Sequence, residues 1–585
     1  MRIANCSGFY GDRFSAFHEV LTQGPVDVIT GDYLAELTML LLWRSQQRDG
    51  SGFAKTFLHQ VRGDLAEVAE RGVKVVVNAG GLAPAALAHA VREAVDEAGI
   101  DLRVAHIEGD DLLPHLERIQ QEGNPFTHLD RGGSFWDDGR RALTANAYLG
   151  AWGIVEALDA GADIVICPRV TDASLVVGPA AWHHKWRRTD WDQLAGAVVA
   201  GHVIECGAQA TGGNFPFFHE VPGLEHPGFP IAEVDEDGSC VMTKHDGTGG
   251  LVSQDTVTAQ LLYEIAGPRY LNPDVTARFD TIELKTDGTD RVRISGVRGE
   301  PPTDDLKVCI NTLGGFRNEM TFVITGLHVQ QKADLVERTV VRQLAQQDVD
   351  LEFQLIEFAV QDAPRNVQAT SHLRVIATAS TPEPVSKRNF AAPLVELALS
   401  TYPGATFTTP PTDGQPYGVY WPTLVSKVDV HEVVATPDGQ RIPVQQTPGD
   451  FAADVADPPF SWDTMPEVPP SPTVRSPLGS VAGARSGDKG GNANIGVWGR
   501  TDAVARWLAD WLTEQRLHLL LPEVGDLLIS RHEFPNLRAI NFVIHGLLDE
   551  GVSSSTRPDP QAKGLGEYLR SRVVEMPHSL LGQEL

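Results

Sequence analysis

Five short apolar segments rich in β-branched residues set the pattern of the first part of the chain. They are RIANC (2–6), VDVIT (26–30), VKVVVNA (73–79), LRVAHI (102–107) and ADIVIC (162–167). Stretches with helical periodicity lie between or beside them, at 33–48, 55–71, 84–98 and 145–160. Strands that alternate with helices form parallel sheets, because parallel strands need a long crossover, usually a helix. The sequence therefore predicts an α/β domain with a large parallel sheet, which we assign to residues 1–275.

The pattern changes in the middle of the chain. RFDTIELKT and DRVRISGVRG flank a turn at Asp287-Gly288, as expected for a β-hairpin. The segments that follow are the strand EMTFVITG, a helix over 327–346, the strands LEFQLIEFA and LRVIATAS, a helix over 391–400 and the strand TFTT. This order is the split ferredoxin-like arrangement, so we predict an α+β region of that type over 276–450.

The last part of the chain begins with a segment dense in proline and acidic residues, 451–474, which predicts a linker. Residues 475–585 then predict a small α+β domain. Its parts are a glycine-rich loop, the strand NIGVWGR, a helix over 502–516, the strands DLLISRHEF and AINFVIHG, and a helix near 562–574.

Charge and cysteine usage narrow the classes of function. Of the 585 residues, 48 are Lys or Arg and 77 are Asp or Glu, giving a net charge of −29. Such a chain repels phosphate backbones and anionic lipids, so we expect neither nucleic acid nor membrane partners. The five cysteines are widely spaced, with neither a disulfide framework nor a zinc motif. The N-terminus lacks the apolar core of a signal peptide, and we expect a cytoplasmic protein.

Polar and glycine residues follow the predicted strands. The carboxyl ends of parallel strands share one edge, where ligands bind in open α/β sheets. We therefore expect residues 5–12, 31–33, 78–81 and 169–174 to converge on one pocket. The alternative is that strand-to-helix turns favour these residue types for capping alone. The candidate binding residues here are Ser7, Asp12, Asn78, Gly80, Gly81 and Arg169, and the candidate bases are Asp32 and Asp172.

Two glycine-rich segments, 205–214 and 243–250, carry more polar groups than a core needs. Backbone N–H groups in such loops hold carboxylates or phosphates, and a nearby lysine adds charge. His245 is a third candidate acid or base, since its pKa lies near neutrality. The alternative is that the segment 243–250 is a flexible surface loop with one solvated histidine. The candidate binding residues of these segments are Thr211, Asn214, Lys244 and Thr248.

The third glycine-rich segment, 485–494, has a cation on each side of an aspartate and two amides. We predict that it folds over or beside the pocket of the large domain, and the alternative is an ordinary surface turn. Glycine allows its backbone to approach a ligand or another loop closely. Its candidate binding residues are Arg485, Asp488, Lys489 and Asn492.

Several chemistries are not indicated. No G-x-G-x-x-G follows the first strand, and residues 483–489 match no phosphate-binding P-loop. The histidines show no metal-ligand spacing, so we expect no metal. Cys206 as a nucleophile would need a nearby histidine, which the sequence does not reveal. We expect no cofactor, apart from coenzyme A as part of a substrate.

The glycine-rich segments together resemble the acyclic terpene utilisation AtuA family. The matching stretches are NCSGFYGDR, VITGDYLAE, NAGGLAP, PRVTDASLVVGPAAW, ECGAQATGGNF, TKHDGTGGLV, DRVRISGVRG and ARSGDKGGNANIGVWGR. The last part of the chain, with SSSTRPDPQAKGLGEYL, looks like that family's smaller ferredoxin-like domain. The family takes its name from gene clusters for citronellol and geraniol breakdown, beside acyl-CoA carboxylases, dehydrogenases and hydratases. The resemblance implies branched acyl-CoA catabolism and supplies no catalytic residues.

Two functions follow as expectations. The first is an enzyme of acyclic terpene or branched acyl-CoA breakdown that acts by acid–base chemistry, as a hydratase or lyase, on an acyl-CoA or carboxylate. This chemistry needs a base near the α carbon and hydrogen-bond donors for the enolate oxygen. The candidate donors are Arg169, Lys244 and the N–H groups of Gly80 and Gly81. The second is a non-catalytic scaffold or activator of an acyl-CoA carboxylase or another pathway enzyme. In either case we expect a homo-oligomer.

Overall fold

The computed structural model describes residues 1–408, 410–451 and 459–581. The chain divides into two compact units. The first consists of Met1–Asn311 together with Tyr420–Leu585, and the second of Thr312–Val419.

The helices and strands are as follows in chain order. The strands of residues 1–300 are β1 (Arg2–Asn5), β2 (Val28–Gly31), β3 (Lys74–Val77), β4 (Val104–Glu108), β5 (Ala142–Ala147), β6 (Ile164–Ile166), β7 (Pro230–Val234), β8 (Cys240–Lys244), β9 (Arg269–Leu271), β10 (Thr276–Arg278), β11 (Glu283–Thr286), β12 (Val292–Ser295) and β13 (Arg298–Glu300). The helices there are α1 (Ala16–Thr22), α2 (Glu36–Asp49), α3 (Lys55–Arg62), α4 (Leu65–Arg71), α5 (Pro84–Ala98), α6 (Leu116–Gln121), α7 (Trp152–Asp159), α8 (Ser174–His184), α9 (Trp191–Ile204) and α10 (Gln254–Leu261). Residues 301–451 hold β14 (Asp305–Thr325), α11 (Val329–Gln343), β15 (Asp350–Ile356), β16 (Thr370–Ala379), α12 (Ala392–Val395), β17 (Thr406–Phe407), β18 (Gln415–Ser426), β19 (Val433–Ala435) and β20 (Arg441–Pro443). The C-terminal part holds β21 (Thr473–Pro477), β22 (Ala482–Lys489), β23 (Asn492–Gly499), α13 (Asp502–Trp511), α14 (Glu514–Leu520), β24 (Ile529–Phe534), β25 (Ala539–Ile544), α15 (Leu565–Ser571) and β26 (Val573–Pro577).

The main sheet of the first unit has a parallel centre. Its order is β11-β12-β8-β7-β1-β2-β3-β6-β4-β19-β20, and β1, β2, β3, β6 and β4 run parallel to one another. Antiparallel pairing joins the strands outside this centre. The predicted parallel α/β fold is confirmed, and the predicted hairpin around Asp287-Gly288 extends one edge of this sheet.

Both faces of the parallel strands are buried, which explains their continuous apolar sequences. Alternate residues point to opposite faces of a strand. Val28 and Val76 accordingly contribute to one apolar core, and Ile29 and Val75 contribute to the other. Helices cover both faces and leave the strand ends open to polar residues.

Four antiparallel strands of the second unit follow the order β15-β16-β14-β17 within a sheet of six. In chain order this is strand, helix, strand, strand, helix, strand, so the ferredoxin-like order predicted from the sequence is confirmed. The predicted helix at 391–400 is irregular: α12 follows a π-helical turn, Lys387–Ala391, and precedes a 3₁₀ turn, Glu396–Leu399. Residue 409, the end of the predicted strand TFTT, lies outside the described residues.

The C-terminal part of the first unit forms an antiparallel sheet of order β22-β23-β25-β24, and β21 pairs with β26. The glycine-rich segment predicted as a loop is instead a strand, β22, joined to β23 by a tight turn at Gly490-Gly491. Of the predicted linker 451–474, residues 452–458 lie outside the described residues. Trp462 in its described remainder donates its indole N–H to Glu533 (2.7 Å).

Three predicted helices differ from the structure. The helix predicted at 145–160 begins only at Trp152, because residues 142–147 form β5. The helix predicted at 55–71 is interrupted at Gly63-Asp64, and the one at 502–516 is interrupted at Leu512-Thr513. None of the helices in the described part of the chain combines the length and apolarity that a membrane crossing requires.

Candidate active site

The polar ends of the parallel strands meet at one edge of the main sheet. The backbone N–H of Asp32 donates to the carbonyl of Ser7 (2.9 Å), and the amide of Asn78 donates to Asp32 Oδ1 (2.5 Å). The N–H of Gly80 donates to the carbonyl of Cys167 (3.1 Å), at the end of the next strand in the sheet. These strand ends therefore meet at one edge of the sheet, as predicted, and that they line one pocket stays a prediction.

Arg169 lies at the centre of this edge. Its side chain is buried, and Nη1 donates to Asp172 Oδ1 (2.6 Å), whose carboxylate is partly accessible. The guanidinium carbon lies 4.2 Å from the centre of the Tyr148 ring, a cation–π geometry. Within the described chain, Nε of Arg169 is buried and has no hydrogen-bond partner. A buried donor without a partner is costly, and a ligand oxygen would satisfy it.

Three carboxyl groups near Arg169 resist ionisation. Burial raises the pKa of Asp32 and Glu205 well above their ordinary values, and the charge of Asp172 raises both further. Burial also raises the pKa of Glu264. Oε2 of Glu205 is buried without a hydrogen-bond partner among the described residues. Perturbed carboxyl groups that influence one another in a crevice are typical of active sites.

The C-terminal hairpin β22–β23 packs beside this cluster. Arg485 donates to Gln209 Oε1, and its guanidinium lies 4.2 Å from the centre of the Tyr263 ring. Lys489 Nζ donates to the backbone carbonyl of Glu264 (2.7 Å). Asn494 fixes the hairpin, because its amide donates to the carbonyl of Leu262 (2.7 Å). Residues 485–494 therefore pack against residues 209 and 262–264, as a hairpin rather than a loop, and their place beside a pocket stays a prediction.

Asp488, on the same hairpin, belongs to the cluster electrostatically. Burial raises the pKa of Asp488 well above its ordinary value, and the charges of Glu264 and Glu36 add to this effect. Its Oδ1 atom is buried and has no hydrogen-bond partner in the described structure.

A second group at the edge escaped the sequence analysis. Tyr148 donates its hydroxyl to Glu36 Oε1 (2.9 Å), and Lys307 Nζ lies 3.6 Å from the same oxygen. Burial disfavours the charged Glu36, but Lys307 and Arg169 outweigh burial and lower its pKa to about 2. Glu36 is therefore a carboxylate, in contrast to the proton-retaining acids beside it.

The sequence analysis did not predict Glu205 and Glu264 as site residues, although the position of each in the sequence is unusual. Glu205 directly follows the apolar helix α9, and Glu264 interrupts the apolar run 261–265. A charged residue in such surroundings is seldom buried without a partner or a function. To predict these two glutamates as site residues, one would have to know which residues around them are buried, and the sequence does not show this.

The segment 243–250 lies in different surroundings. His245 is buried, and its Nε2 lies 2.8 Å from the carbonyl of Val20 in α1. Burial lowers the pKa of His245, and the other charges that act on it are Arg2, Asp246 and Arg71 rather than the acids around Arg169. Lys244 pairs with Asp290 (3.1 Å).

Several other predicted residues hold the local backbone. Thr248 donates to the carbonyl of His245 (2.7 Å), and Thr211 donates to that of Gly228 (2.6 Å). Asn214 is exposed with a φ of 56°. Asn492 donates to Asp130 (2.7 Å) and accepts from the N–H of Gly546 (2.9 Å).

The remaining predicted residues lie at the strand-end edge in supporting positions. Asp12 accepts the backbone N–H of Gly8 (2.8 Å), and the Ser7 hydroxyl donates to the carbonyl of Phe9 (3.0 Å). The N–H of Gly81 donates to the carbonyl of Asn78 (3.2 Å). Since the N–H of Gly80 is also engaged, Arg169 is the better-placed donor for a substrate oxygen.

The cluster around Arg169 has the composition of an acid–base site. It combines carboxyl groups that retain a proton with carboxylates held by cations, which is how environment separates acid from base. In the described part of the chain, no group of three or more His, Cys, Asp or Glu side chains is arranged to hold a metal ion. Burial raises the pKa of the Cys206 thiol well above its ordinary value, which opposes a thiolate nucleophile.

Comparison with known proteins identifies two family models along the chain. The model of the acyclic terpene utilisation family protein AtuA matches residues 1–436, and that of the AtuA ferredoxin-like domain matches residues 476–575. No curated protein and no solved structure matches the chain.

Proposed function

The chain belongs to the acyclic terpene utilisation AtuA family, and from this membership we propose that it is a catabolic enzyme acting by acid–base chemistry on an acyl-CoA or carboxylate substrate. The family indicates a role in acyclic terpene utilisation. The reaction type, hydration or a lyase step, is proposed from the chemistry of the candidate site.

The observation that carries the proposal is the ion pair of Asp172 with buried Arg169, close enough to Asp32 for the charge of Asp172 to raise the pKa of Asp32. Asp32 retains its proton because burial and the charge of Asp172 raise its pKa. Asp172 pairs with Arg169 and remains partly accessible. One carboxylic acid and one carboxylate next to a buried cation supply an acid, a base and an electrophilic group.

These groups suit the hydration of an α,β-unsaturated thioester. Asp172 takes a proton from a water molecule while the oxygen of that water bonds to the β carbon. The thioester becomes an enolate. Arg169 Nε, which has no partner in the described structure, donates to the enolate oxygen. Asp32 then gives its proton to the α carbon. The enzyme regains its starting state when Asp172 returns a proton to Asp32 through water.

The proposal is tested by assaying the purified chain against branched α,β-unsaturated and 3-hydroxyacyl-CoA thioesters, with 3-methylcrotonyl-CoA as the smallest. We expect turnover of at least one thioester, and a loss of kcat of about 100-fold or more in Asp172→Asn. Asp96→Asn is the matched control, because Asp96 is exposed on α5. Its kcat should equal that of the wild type.

Absence of turnover across the panel would favour the non-catalytic alternative, a scaffold or activator of an acyl-CoA carboxylase. Equal activity of Asp172→Asn and the wild type would remove Asp172 from the mechanism. Thermal denaturation of both variants checks that any lost activity is not lost folding.

A further inference from the structure

The cations around the candidate site share an unusual setting, since each lies on a tyrosine ring. Arg169 and Lys307 face Tyr148, at 4.2 and 4.9 Å from the ring centre. Arg485 lies 4.2 Å from the centre of Tyr263, and Lys489 lies 5.6 Å from that of Tyr270. A ring face attracts a cation without cancelling its charge.

The two cations of the hairpin differ from the other two in their partners. Arg169 pairs with Asp172, and Lys307 lies near Glu36. Among the described residues, Arg485 and Lys489 form no ion pair and donate instead to neutral oxygens, those of the Gln209 amide and the Glu264 backbone. Arg485 is only 5% exposed. Burial lowers the pKa of both Arg485 and Lys489, and the charge of Glu264 opposes this effect at each of them without forming an ion pair.

The strand geometry places these two cations on the same side of the hairpin. Residues i and i+4 of a strand point to the same face, so Arg485 and Lys489 share a face of β22, with Gly487 between them. A Cβ atom at position 487 would lie 2.3 Å from the Tyr263 ring. Glycine at this position therefore allows Tyr263 to lie against the strand, beneath Arg485.

We propose that Arg485 and Lys489 form a subsite for a carboxylate, so that the substrate carries a free carboxylate in addition to its reacting acyl group. This inference rests on the proposed function and specifies its substrate class. The free carboxylate accepts hydrogen bonds from the guanidinium and the ammonium, and supplies the ion-pair partner that neither cation has among the described residues.

The surrounding acids favour a carboxylate over a phosphate. Glu264 and Asp488 lie close enough for their charges to influence each other, and both retain protons more readily than ordinary carboxyl groups. A neutral carboxyl group can donate to a singly charged carboxylate. A doubly charged phosphate would meet stronger repulsion from any of these acids that ionises.

The test compares glutaryl-CoA with valeryl-CoA, which have acyl chains of the same length and differ by the terminal carboxylate. Binding to the full-length protein is measured by titration calorimetry. We expect glutaryl-CoA to bind roughly tenfold or more tightly than valeryl-CoA. The preference should disappear in Arg485→Gln and in Lys489→Met. It should persist in Arg475→Gln, since Arg475 is exposed on β21 of the same C-terminal part.

Three outcomes overturn the inference, and two further outcomes separate it from the proposed function. Equal binding of the two thioesters by the wild type does so without any variant, and so does binding of neither. Displacement of glutaryl-CoA by inorganic phosphate or free coenzyme A as effectively as by glutarate would assign the cations to a phosphate. A preference for glutaryl-CoA without turnover of any thioester would leave the subsite in place and remove the acid–base proposal. Turnover that depends on Asp172, without a preference for glutaryl-CoA, would support the acid–base proposal and remove the carboxylate subsite.

Discussion

Single carboxyl groups carry most of the electrostatic character of the candidate site. Asp32 is 6% exposed and accepts hydrogen bonds from the Asn78 amide and from the backbone N–H of Leu34. Both hydrogen bonds reach the same oxygen, Oδ1. These bonds favour the charged form, but burial and the charge of Asp172 outweigh them and raise the pKa of Asp32. The native state therefore keeps a proton that the unfolded chain releases above a pH of about 3.9.

We predict that Asp32→Asn stabilises the protein at pH 7–8 while abolishing catalysis. Between the unfolded and the native pKa, the wild type loses stability as pH rises, because only the unfolded state releases the proton. Asparagine keeps the Oδ1 acceptor and removes this loss. The gain in unfolding free energy should be on the order of 1 kcal/mol at pH 7–8. Denaturant unfolding from pH 3 to pH 8 measures it.

The pH profile separates this explanation from a general packing effect. The two proteins should have equal stability near pH 3, where Asp32 is protonated in both states. A variant that is less stable at every pH would contradict the raised pKa. Glu36→Gln provides the opposite case. The Glu36 carboxylate has a pKa of about 2 in the native state, so it stabilises that state above pH 4–5. This contribution to the unfolding free energy is lost as pH falls toward 2.

The β22–β23 hairpin is the element that completes the candidate site. Its glycines are placed where neighbours approach closely, as Gly487 does with Tyr263 and Gly496 does with Leu262. Asn494 and Asn541 add hydrogen bonds to the backbone carbonyls of Leu262 and Ile265. Because these contacts join C-terminal strands to residues 262–265, the hairpin is fixed by the large domain.

We predict that Gly487→Ala destabilises the protein by about 1–3 kcal/mol, because the added methyl group would overlap the Tyr263 ring. The ring would have to move, and with it the support beneath Arg485. Thermal and urea unfolding measure the loss of stability. Glutaryl-CoA binding should weaken in parallel.

Gly63→Ala is the control for a change of backbone freedom. No atom lies within 4 Å of a Cβ atom at position 63, and its backbone is helical. This variant should be as stable as the wild type or slightly more stable, by up to about 1 kcal/mol. If both variants behaved alike, the overlap with Tyr263 would not be the cause.

The chain combines a large mixed sheet, a second unit with the ferredoxin-like strand order, and a C-terminal part that supplies residues to the candidate site. In the second unit, β15 lies at the edge of its sheet and pairs with β16. Edge strands carry backbone groups open to further pairing, and small units of this type often associate through sheets or helices.

We therefore predict a homo-oligomer. Size-exclusion chromatography with light scattering at micromolar concentration should give a multiple of the chain mass of 63.4 kDa. A mass of one chain over the whole concentration range would contradict the prediction. A mass that falls on dilution would indicate a weak interface.

The layer architecture and the place of the polar residues at one edge of the sheet could both be predicted from the sequence. Both depend on local properties: β-branched runs such as 73–79 form buried strands, and the carboxyl ends of parallel strands must share one edge. Local pattern was less informative at 145–147, where a strand precedes the helix, and at 485–489, where glycines suggested a loop but cross-strand pairing formed a strand. Glycine weakens strand propensity without preventing pairing.

Which charged residues meet depends on the tertiary fold and could not be predicted from the sequence. Glu36, Arg169, Glu264, Lys307 and Lys489 are far apart in the sequence, yet their charges act on one another. Burial and the distance between charges set a pKa, and neither is encoded in the neighbouring residues along the chain. For the same reason, the sequence marked Lys489 as a candidate but did not reveal that it lies, without an ion-pair partner among the described residues, beside the acids at the end of the main sheet.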